Sequence, residues 1–104
     1  MANTHSLKTA RPYWFAIQSG EKRFEVRKDD RGFQKGDQLL LRLLHADDSG
    51  GGRTFETVDG SSTGLAEQAN TIRARVDWIL TGGQLGIQPG YVVMSITPEW
   101  PKSL

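Results

Sequence analysis

Alternating apolar and polar residues after Thr71 leave this part of the chain few options other than a β-strand. Apolar side chains recur at every second position, and charged residues fill most of the gaps: Ile72, Ala74, Val76, Trp78 and Leu80 alternate with Arg73, Arg75 and Asp77. Successive side chains of a strand point to opposite faces, so this pattern predicts a half-buried strand. Trp78 is therefore expected to lie in the core.

Short apolar segments separated by glycine-rich turns predict further strands. They cover residues 5–8, 23–28, 38–45 and 91–97. The leucines of segment 38–45 fall on one face of a strand, but periodicity alone leaves a helix as the alternative there. Several short strands with turn signals between them indicate a small, curved or closed mixed sheet.

A single helix is expected over residues 11–19. Pro12 suits its first turn, and Gly20 suits a left-handed stop after it. Tyr13, Ala16 and Ile17 would form its core-facing stripe. The fold class that follows is α+β, with one N-terminal helix packed beside about five to six strands.

Length and composition predict one domain over residues 1–104, since 104 residues is the usual size of a single core. Residues 46–70 are rich in Gly and Ser and are expected to form a flexible insertion, with a small hairpin arm and a short helical turn. The tail Pro98–Leu104 is expected to be loose. The chain has no cysteine, no long apolar run and no metal-ligand spacing. These features predict a cytoplasmic protein without a cofactor or bound metal and without membrane contact. A monomer is also expected.

Charge is distributed unevenly although the net charge is only +1. Residues 1–35 carry eight Lys and Arg against four Asp and Glu, a net of +4, and the remainder carries a net of −3. A local basic face favours an anionic partner at one site. An ordinary solvated charge run is the alternative.

A compact charged motif follows the predicted helix. Phe24 and Val26 face one way on the predicted strand. On the opposite face lie three charged side chains: Arg23, Glu25 and Arg27. With Lys22 at the corner before the strand, these groups suit an anionic, hydrogen-bonding ligand such as a nucleotide. A structural ion-pair network is the competing interpretation.

The pattern Gly20-x-Lys22-x-x-Glu25-x-Arg27 resembles the signature of the ASCH domains, a branch of the PUA-like superfamily. The longer runs His5-x-Leu7-Lys8, Tyr13-Trp14-x-Ala16-Ile17, Phe24-Glu25-Val26-Arg27-Lys28-x-Asp30-Arg31 and Gly90-Tyr91-Val92-Val93-Met94-Ser95 are similar to a small family of bacterial and phage proteins related to ASCH. Residues 46–70 match less well than the two ends of the chain.

The resemblance implies a β-barrel with a helix beside it and a cleft lined by the signature residues. It also implies a single-stranded RNA or nucleotide as partner, because ASCH domains are generally regarded as RNA-binding modules. Some small relatives hydrolyse acetylated cytidine with a Lys, a Thr and a distal Glu. Here Glu25 stands where those enzymes have the Thr, so the same covalent chemistry is not expected.

Nine residues are candidates for nucleic-acid binding: His5, Lys8, Trp14, Lys22, Arg23, Glu25, Arg27, Lys28 and Arg31. The resemblance places His5 near the cleft, although packing is an ordinary fate for a lone histidine. Trp14 is expected either to stack on a base or to pack in the core. The other cations would form a phosphate-steering rim, or be solvated surface charges.

Three functions compete at this point. RNA or nucleotide binding is the leading hypothesis. A hydrolase acting on a modified nucleoside, or a ribonuclease, would use Lys22 and Glu25 as its catalytic pair. An interaction adaptor would instead use residues 46–70.

Overall fold

The computed structural model describes residues 2–99, which form one α-helix and seven strands. In chain order the elements are β1 (Thr4–Thr9), α1 (Arg11–Gln18), β2 (Phe24–Lys28), β3 (Gln38–Leu43), β4 (Phe55–Glu56), β5 (Ser62–Thr63), a 3-10 turn (Ala66–Gln68), β6 (Thr71–Thr81) and β7 (Tyr91–Pro98). The predicted helix and strands are confirmed. The leucine-rich segment is a strand rather than a helix.

Five strands form one curled, half-barrel sheet in the order β1-β3-β6-β7-β2. β1 pairs with β3 in parallel, and the other neighbours are antiparallel, so the sheet is mixed as predicted. The edge strands β1 and β2 approach each other, because the Arg31 guanidinium on the β2 side donates to the Ser6 carbonyl oxygen of β1 over 2.8 Å. We call the gap between these two edges the seam.

The core lies inside the curl of the sheet and beneath α1. Leu39, Leu41 and Leu43 of β3 are fully buried, on the shared face that the alternation predicted. They meet inward side chains of β1, β6, β7 and the helix: Leu7, Trp14, Ile17, Ile72, Ala74, Val76, Val92, Met94 and Ile96. Burial of these side chains is the main force that stabilises the half-barrel.

The helix meets the core with a different stripe from the predicted one. Trp14 and Ile17 are buried, whereas Tyr13 is 57% exposed, so the prediction of a core-facing Tyr13 was wrong. The Trp14 indole N–H donates to the Leu41 carbonyl oxygen over 2.9 Å. Because a buried indole needs such a partner, this contact is consistent with the helix turning Trp14 inward and Tyr13 outward.

A bulge in β6 reverses which side chains face the core. Val76 pairs with Ile96, but Trp78 pairs with Ser95, so one extra residue stands in β6 at Asp77. Such an insertion shifts the alternation by one position. Trp78 is therefore 59% exposed and Ile79 packs on the core instead, so the prediction of a buried Trp78 was wrong.

Residues 46–70 contain the expected small elements. β4 and β5 form a short antiparallel pair, and Phe55 anchors it with a buried side chain. The Asp48 carboxylate accepts from four backbone N–H groups, those of Gly50, Gly52, Arg53 and Thr54. These hydrogen bonds, that of the Arg53 N–H first, lower the pKa of Asp48. Burial raises this pKa, but by less than the hydrogen bonds together lower it.

The chain ends are only partly described. Pro98 is the last residue of β7, so the prediction of a loose tail was wrong at Pro98, and residues 100–104 of that tail lie outside the described residues. Within residues 2–99, no helix has the length and apolar character required to cross a membrane.

Candidate functional site

The turn after α1 brings a lysine to the start of β2. Gly20 has a φ of +85°, a left-handed conformation that glycine adopts without steric cost. The chain then folds back on the helix, since the Lys22 N–H donates to the Ala16 carbonyl oxygen over 3.0 Å. Lys22 consequently lies at the corner between helix and strand, as the sequence predicted.

Glu25 points into the half-barrel. It pairs with Met94, which also pairs with Ile79, so the carboxylate shares an inward row with core side chains and is only 4% exposed. Burial of a carboxylate is unfavourable unless the charge is paired. Lys22 Nζ lies 2.6 Å from Glu25 Oε2, and Arg27 Nη2 lies 2.9 Å from Oε1, so both oxygens have a cationic partner.

Arg27 joins this cluster to the opposite edge of the sheet. Its Nη1 donates to the Lys8 carbonyl oxygen over 3.1 Å, and its Nη2 also donates to Thr9 Oγ1 over 3.3 Å. The planar guanidinium therefore spans the seam between β2 and β1 while it pairs with Glu25. This arrangement makes Lys22, Glu25 and Arg27 a complete ion-pair network.

The Lys22 ammonium also lies beside two exposed aromatic rings. Its nitrogen is 4.8 Å from the ring centre of Phe24 and 5.5 Å from that of Tyr13, within the range of a cation–π contact. An ammonium has three donors, and Lys22 uses two of them on the Phe24 carbonyl oxygen and Glu25. The third can serve a ligand.

A cleft of about 320 Å³ opens at this point, lined by Tyr13, Lys22, Phe24, Glu25 and Val26. Phe24 and Val26 are 46% and 49% exposed, on the face opposite Glu25 as predicted. Larger depressions of about 660 and 610 Å³ lie on the outside of β3 and β6 and at the β4–β5 pair. Neither depression shares a lining residue with the cleft. Of these three volumes, the cleft of about 320 Å³ is therefore the one that Lys22 and Glu25 line.

A second, basic cavity lies beyond Arg27. Its volume is about 190 Å³, and it is lined by Leu7, Arg27, Lys28, Asp30, Arg31 and Phe33. Three cations against one acid make this cavity suitable for an anion such as a phosphate. The aromatic cleft lies on the Glu25 side of the Glu25–Arg27 pair, and the basic cavity lies on the Arg27 side.

Comparison with known proteins assigns this chain to a family. A family model described as "Domain of unknown function (DUF3850)" matches residues 4–96, which include every element from β1 to most of β7. The chain belongs to the DUF3850 family. It is also 42% identical over 41 residues to an uncharacterised 12.9 kDa protein in the GpA 3′ region of Escherichia phage P2. That match covers 39% of this chain and 38% of the phage protein.

Five of the nine candidate residues lie at the cleft or the basic cavity of this DUF3850 domain: Lys22, Glu25, Arg27, Lys28 and Arg31. Arg23 is exposed between them and α1, with its Nε 3.4 Å from the Gly20 carbonyl oxygen. The structure therefore brings together five of the residues that the sequence grouped, and leaves four outside the cleft and the cavity: Arg23, His5, Lys8 and Trp14.

His5 lies away from the cleft. It is buried, its Nε2 is 2.8 Å from Asp37 Oδ2, and its ring packs edge-on against Phe33. Burial raises the pKa of Asp37, but hydrogen bonds from the Asn3 N–H, His5 and the Gln34 N–H outweigh it and lower the pKa overall. His5 therefore has a packing role in the DUF3850 domain, which was the alternative interpretation.

Trp14 and Lys8 are also turned away from the cleft. Trp14 is 1% exposed and cannot stack on a base, so the core-packing alternative is the one observed. The Lys8 side chain lies on the outer face of β1 against Gly52, where an added Cβ would be 3.0 Å from Lys8 Cδ. Only the main-chain carbonyl of Lys8 contributes to the seam.

Tyr13, Phe24 and Val26 line the cleft but were not among the candidate residues. Phe24 and Val26 were assigned to the correct side of the strand, yet a local pattern does not reveal which side faces the core. Thr9, which binds Arg27, gave no signal at all. Within the part of the chain that the structure describes, no three His, Asp or Glu side chains are grouped in a way that could hold a metal ion.

Proposed function

We propose that this DUF3850 domain binds a nucleotide or a segment of single-stranded RNA along the seam between β1 and β2. The observation that carries the proposal is the position of Lys22, whose ammonium lies between the Glu25 carboxylate and two exposed rings at an open cleft. Aromatic rings beside cations are the usual components of single-strand binding sites, where bases stack and phosphates pair with positive charge.

In this proposal the base occupies the aromatic cleft and the phosphate occupies the basic cavity. Glu25 acts as the fixed counter-charge that holds Lys22 and Arg27 in place, rather than as a contact for the ligand. The resemblance of the Gly20–Arg27 motif to ASCH domains supports this assignment, and on the same resemblance we propose that the half-barrel is of the PUA-like type.

Salt dependence of RNA binding tests the proposal. If three or four phosphates are neutralised, log K for a short single-stranded RNA should fall with log salt at a slope of about −2 to −3. The double variant Lys28→Ala with Arg31→Ala removes two cavity cations without breaking an ion pair to the buried Glu25. It should weaken binding and reduce the slope by about 1.4.

A matched control removes the same charges elsewhere. Lys35 and Arg73 are exposed and lie outside the cleft and the basic cavity. Lys35→Ala with Arg73→Ala should leave RNA affinity close to that of the wild type. Absence of NMR shift changes in residues 22–31 on addition of RNA would contradict the proposal, as would equal losses in both double variants.

Hydrolysis of a modified nucleoside is a second candidate, favoured by the 2.6 Å contact between Lys22 and Glu25 at the cleft wall. A general base needs a lone pair directed at its substrate, and a cation already binds each Glu25 oxygen, which leaves fewer lone pairs for that role. We therefore place binding first. Release of acetate from acetylated cytidine by the wild-type chain, lost in Glu25→Gln, would reverse that order.

A further inference from the structure

The hydrogen-bond pattern of β2 alternates between its two edges. The Arg23 carbonyl oxygen accepts from the Ile96 N–H over 3.0 Å, and the Asp29 N–H donates to the Gly90 carbonyl oxygen over 2.8 Å. In an antiparallel pair every second residue exchanges such bonds with the partner strand. The odd-numbered residues of β2 therefore bond to β7, and the even-numbered residues direct their N–H and C=O groups toward the seam.

Val26 is the even-numbered residue that keeps both groups open. The Phe24 carbonyl oxygen accepts from Lys22 Nζ, and the Lys28 carbonyl oxygen accepts from the Asp30 N–H over 3.0 Å. Among the hydrogen bonds of residues 2–99, none engages the N–H or C=O of Val26 on the seam side. Val26 is also among the residues that line the cleft, and its N–H and C=O lie on the same edge of β2 as the Phe24 carbonyl oxygen that the Lys22 ammonium binds.

We infer that the main chain of Val26 binds the hydrogen-bonding edge of a nucleobase, while Tyr13 and Phe24 contact its faces. This inference rests on the proposed function and specifies which part of the ligand enters the cleft. Every nucleobase presents a donor next to an acceptor on its Watson–Crick edge, which is the complement of a strand residue's N–H and C=O. The remaining donor of Lys22 would bind a further acceptor on the same base.

A base suits this edge better than an added peptide strand. Strand addition depends on a series of main-chain hydrogen bonds along an open edge. Here the carbonyl oxygens on both sides of Val26 are already used, by Lys22 and by Asp30, and Arg27 and Arg31 bridge the seam. One open residue supports a single planar group, and about 320 Å³ is at the lower end of the range for small-ligand pockets.

A proline at position 26 tests this inference. Pro lacks an N–H and is tolerated on an edge strand where that N–H faces outward, so Val26→Pro removes the proposed donor without breaking the β2–β7 ladder. An amide-to-ester replacement at residue 26 is the second variant, because it removes the same N–H and keeps the valine side chain. Thermal unfolding should confirm that both variants fold.

Affinities for the four ribonucleoside 5′-monophosphates are compared with that for ribose 5-phosphate, which has no base. The wild type should bind at least one nucleotide more tightly than ribose 5-phosphate. Val26→Pro and the ester variant should lose about threefold to tenfold of nucleotide affinity, the value of one hydrogen bond, and keep the affinity for ribose 5-phosphate. Hydrogen exchange of the Val26 amide in the wild type should slow when that nucleotide is added.

The outcomes separate this inference from the proposal on which it rests. If folded Val26→Pro and the ester variant bind nucleotides as the wild type does, the main-chain contact is wrong and the proposed function stands. If nucleotides and ribose 5-phosphate bind equally, the base does not enter the cleft. If the wild type binds neither nucleotides nor RNA, both fall, and binding of an extended peptide that protects the Val26 amide would identify the seam as a protein-binding edge.

Discussion

Glu25 lies directly opposite Met94 in the β2–β7 pairing, so a carboxylate occupies an inward row of the sheet beside a fully buried methionine. The strand thus turns Glu25 and Arg27 toward the interior and leaves Phe24, Val26 and Lys28 outside. Lys22 and Arg27 compensate the buried charge from two directions. This orientation of β2, with the carboxylate inside and the apolar side chains outside, fixes the two cations and exposes the apolar side chains that line the cleft.

Removal of either cation should destabilise the domain. Lys22→Ala and Arg27→Ala each leave a buried carboxylate with one partner, and the loss of a charged hydrogen bond costs about 1.5–3 kcal/mol. Urea unfolding measures the change. Lys28 is exposed and follows Arg27 in β2, so Lys28→Ala should alter the free energy of unfolding by no more than about 0.5 kcal/mol. Equal stability of all three variants would show that the ion pairs are not maintained in solution.

Trp14 and Trp78 should differ sharply in their contribution to stability. Trp14→Ala removes a buried ring and should cost about 3–5 kcal/mol. Trp78→Ser removes a ring that is 59% exposed and should change the free energy of unfolding by about 0.5 kcal/mol or less. Chemical unfolding of both variants is the measurement. A large loss in Trp78→Ser would contradict the bulge at Asp77.

Gly82 and Gly64 offer a matched test of backbone crowding. A Cβ on Gly82 would lie 2.0 Å from the Gln88 carbonyl oxygen, whereas one on Gly64 would meet nothing within 4 Å. Gly82→Ala should therefore destabilise the domain by at least about 1–3 kcal/mol, the typical cost of overpacking. Gly64→Ala should be neutral or stabilise by up to about 1 kcal/mol, because it reduces the entropy of the unfolded chain. Thermal unfolding of the pair distinguishes these effects, and similar melting temperatures would refute the close approach of residues 82 and 88.

Acid should weaken the contact between Asp37 and the first strand. Burial raises the pKa of Asp37, but the hydrogen bonds from Asn3, His5 and Gln34 together outweigh it and hold this pKa below the ordinary value of 3.8. A carboxyl whose folded pKa is depressed stabilises the folded state above the unfolded pKa, and that contribution is lost as pH falls through the folded pKa. Stability should thus decline below pH 3.8, and Asp37→Asn should flatten that part of the profile. An unchanged acid limb in Asp37→Asn would exclude this role.

Local patterns predicted much of the fold because short-range physics specifies it. The alternation of Leu39, Leu41 and Leu43 identified a strand and its buried face, and Gly20 marked the end of the helix. Prediction was wrong where a local irregularity changed which positions of an element face the core. A single bulge residue, Asp77, placed Trp78 outside, and the rotation of α1 exchanged Tyr13 for Trp14 in the core.

The candidate site shows the same division. The spacing of Lys22, Glu25 and Arg27 determined that their charges would meet, since a corner residue and two alternate strand residues are necessarily neighbours. Which side of β2 faces the core was decided only by the tertiary structure, because β2 pairs with β7 in a register that aligns Glu25 with Met94. The seam, and with it the open main-chain groups of Val26, exists only because the sheet curls. The curl brings Arg27 to Lys8 and Arg31 to Ser6, pairs that are separated by 19 and 25 positions in the chain.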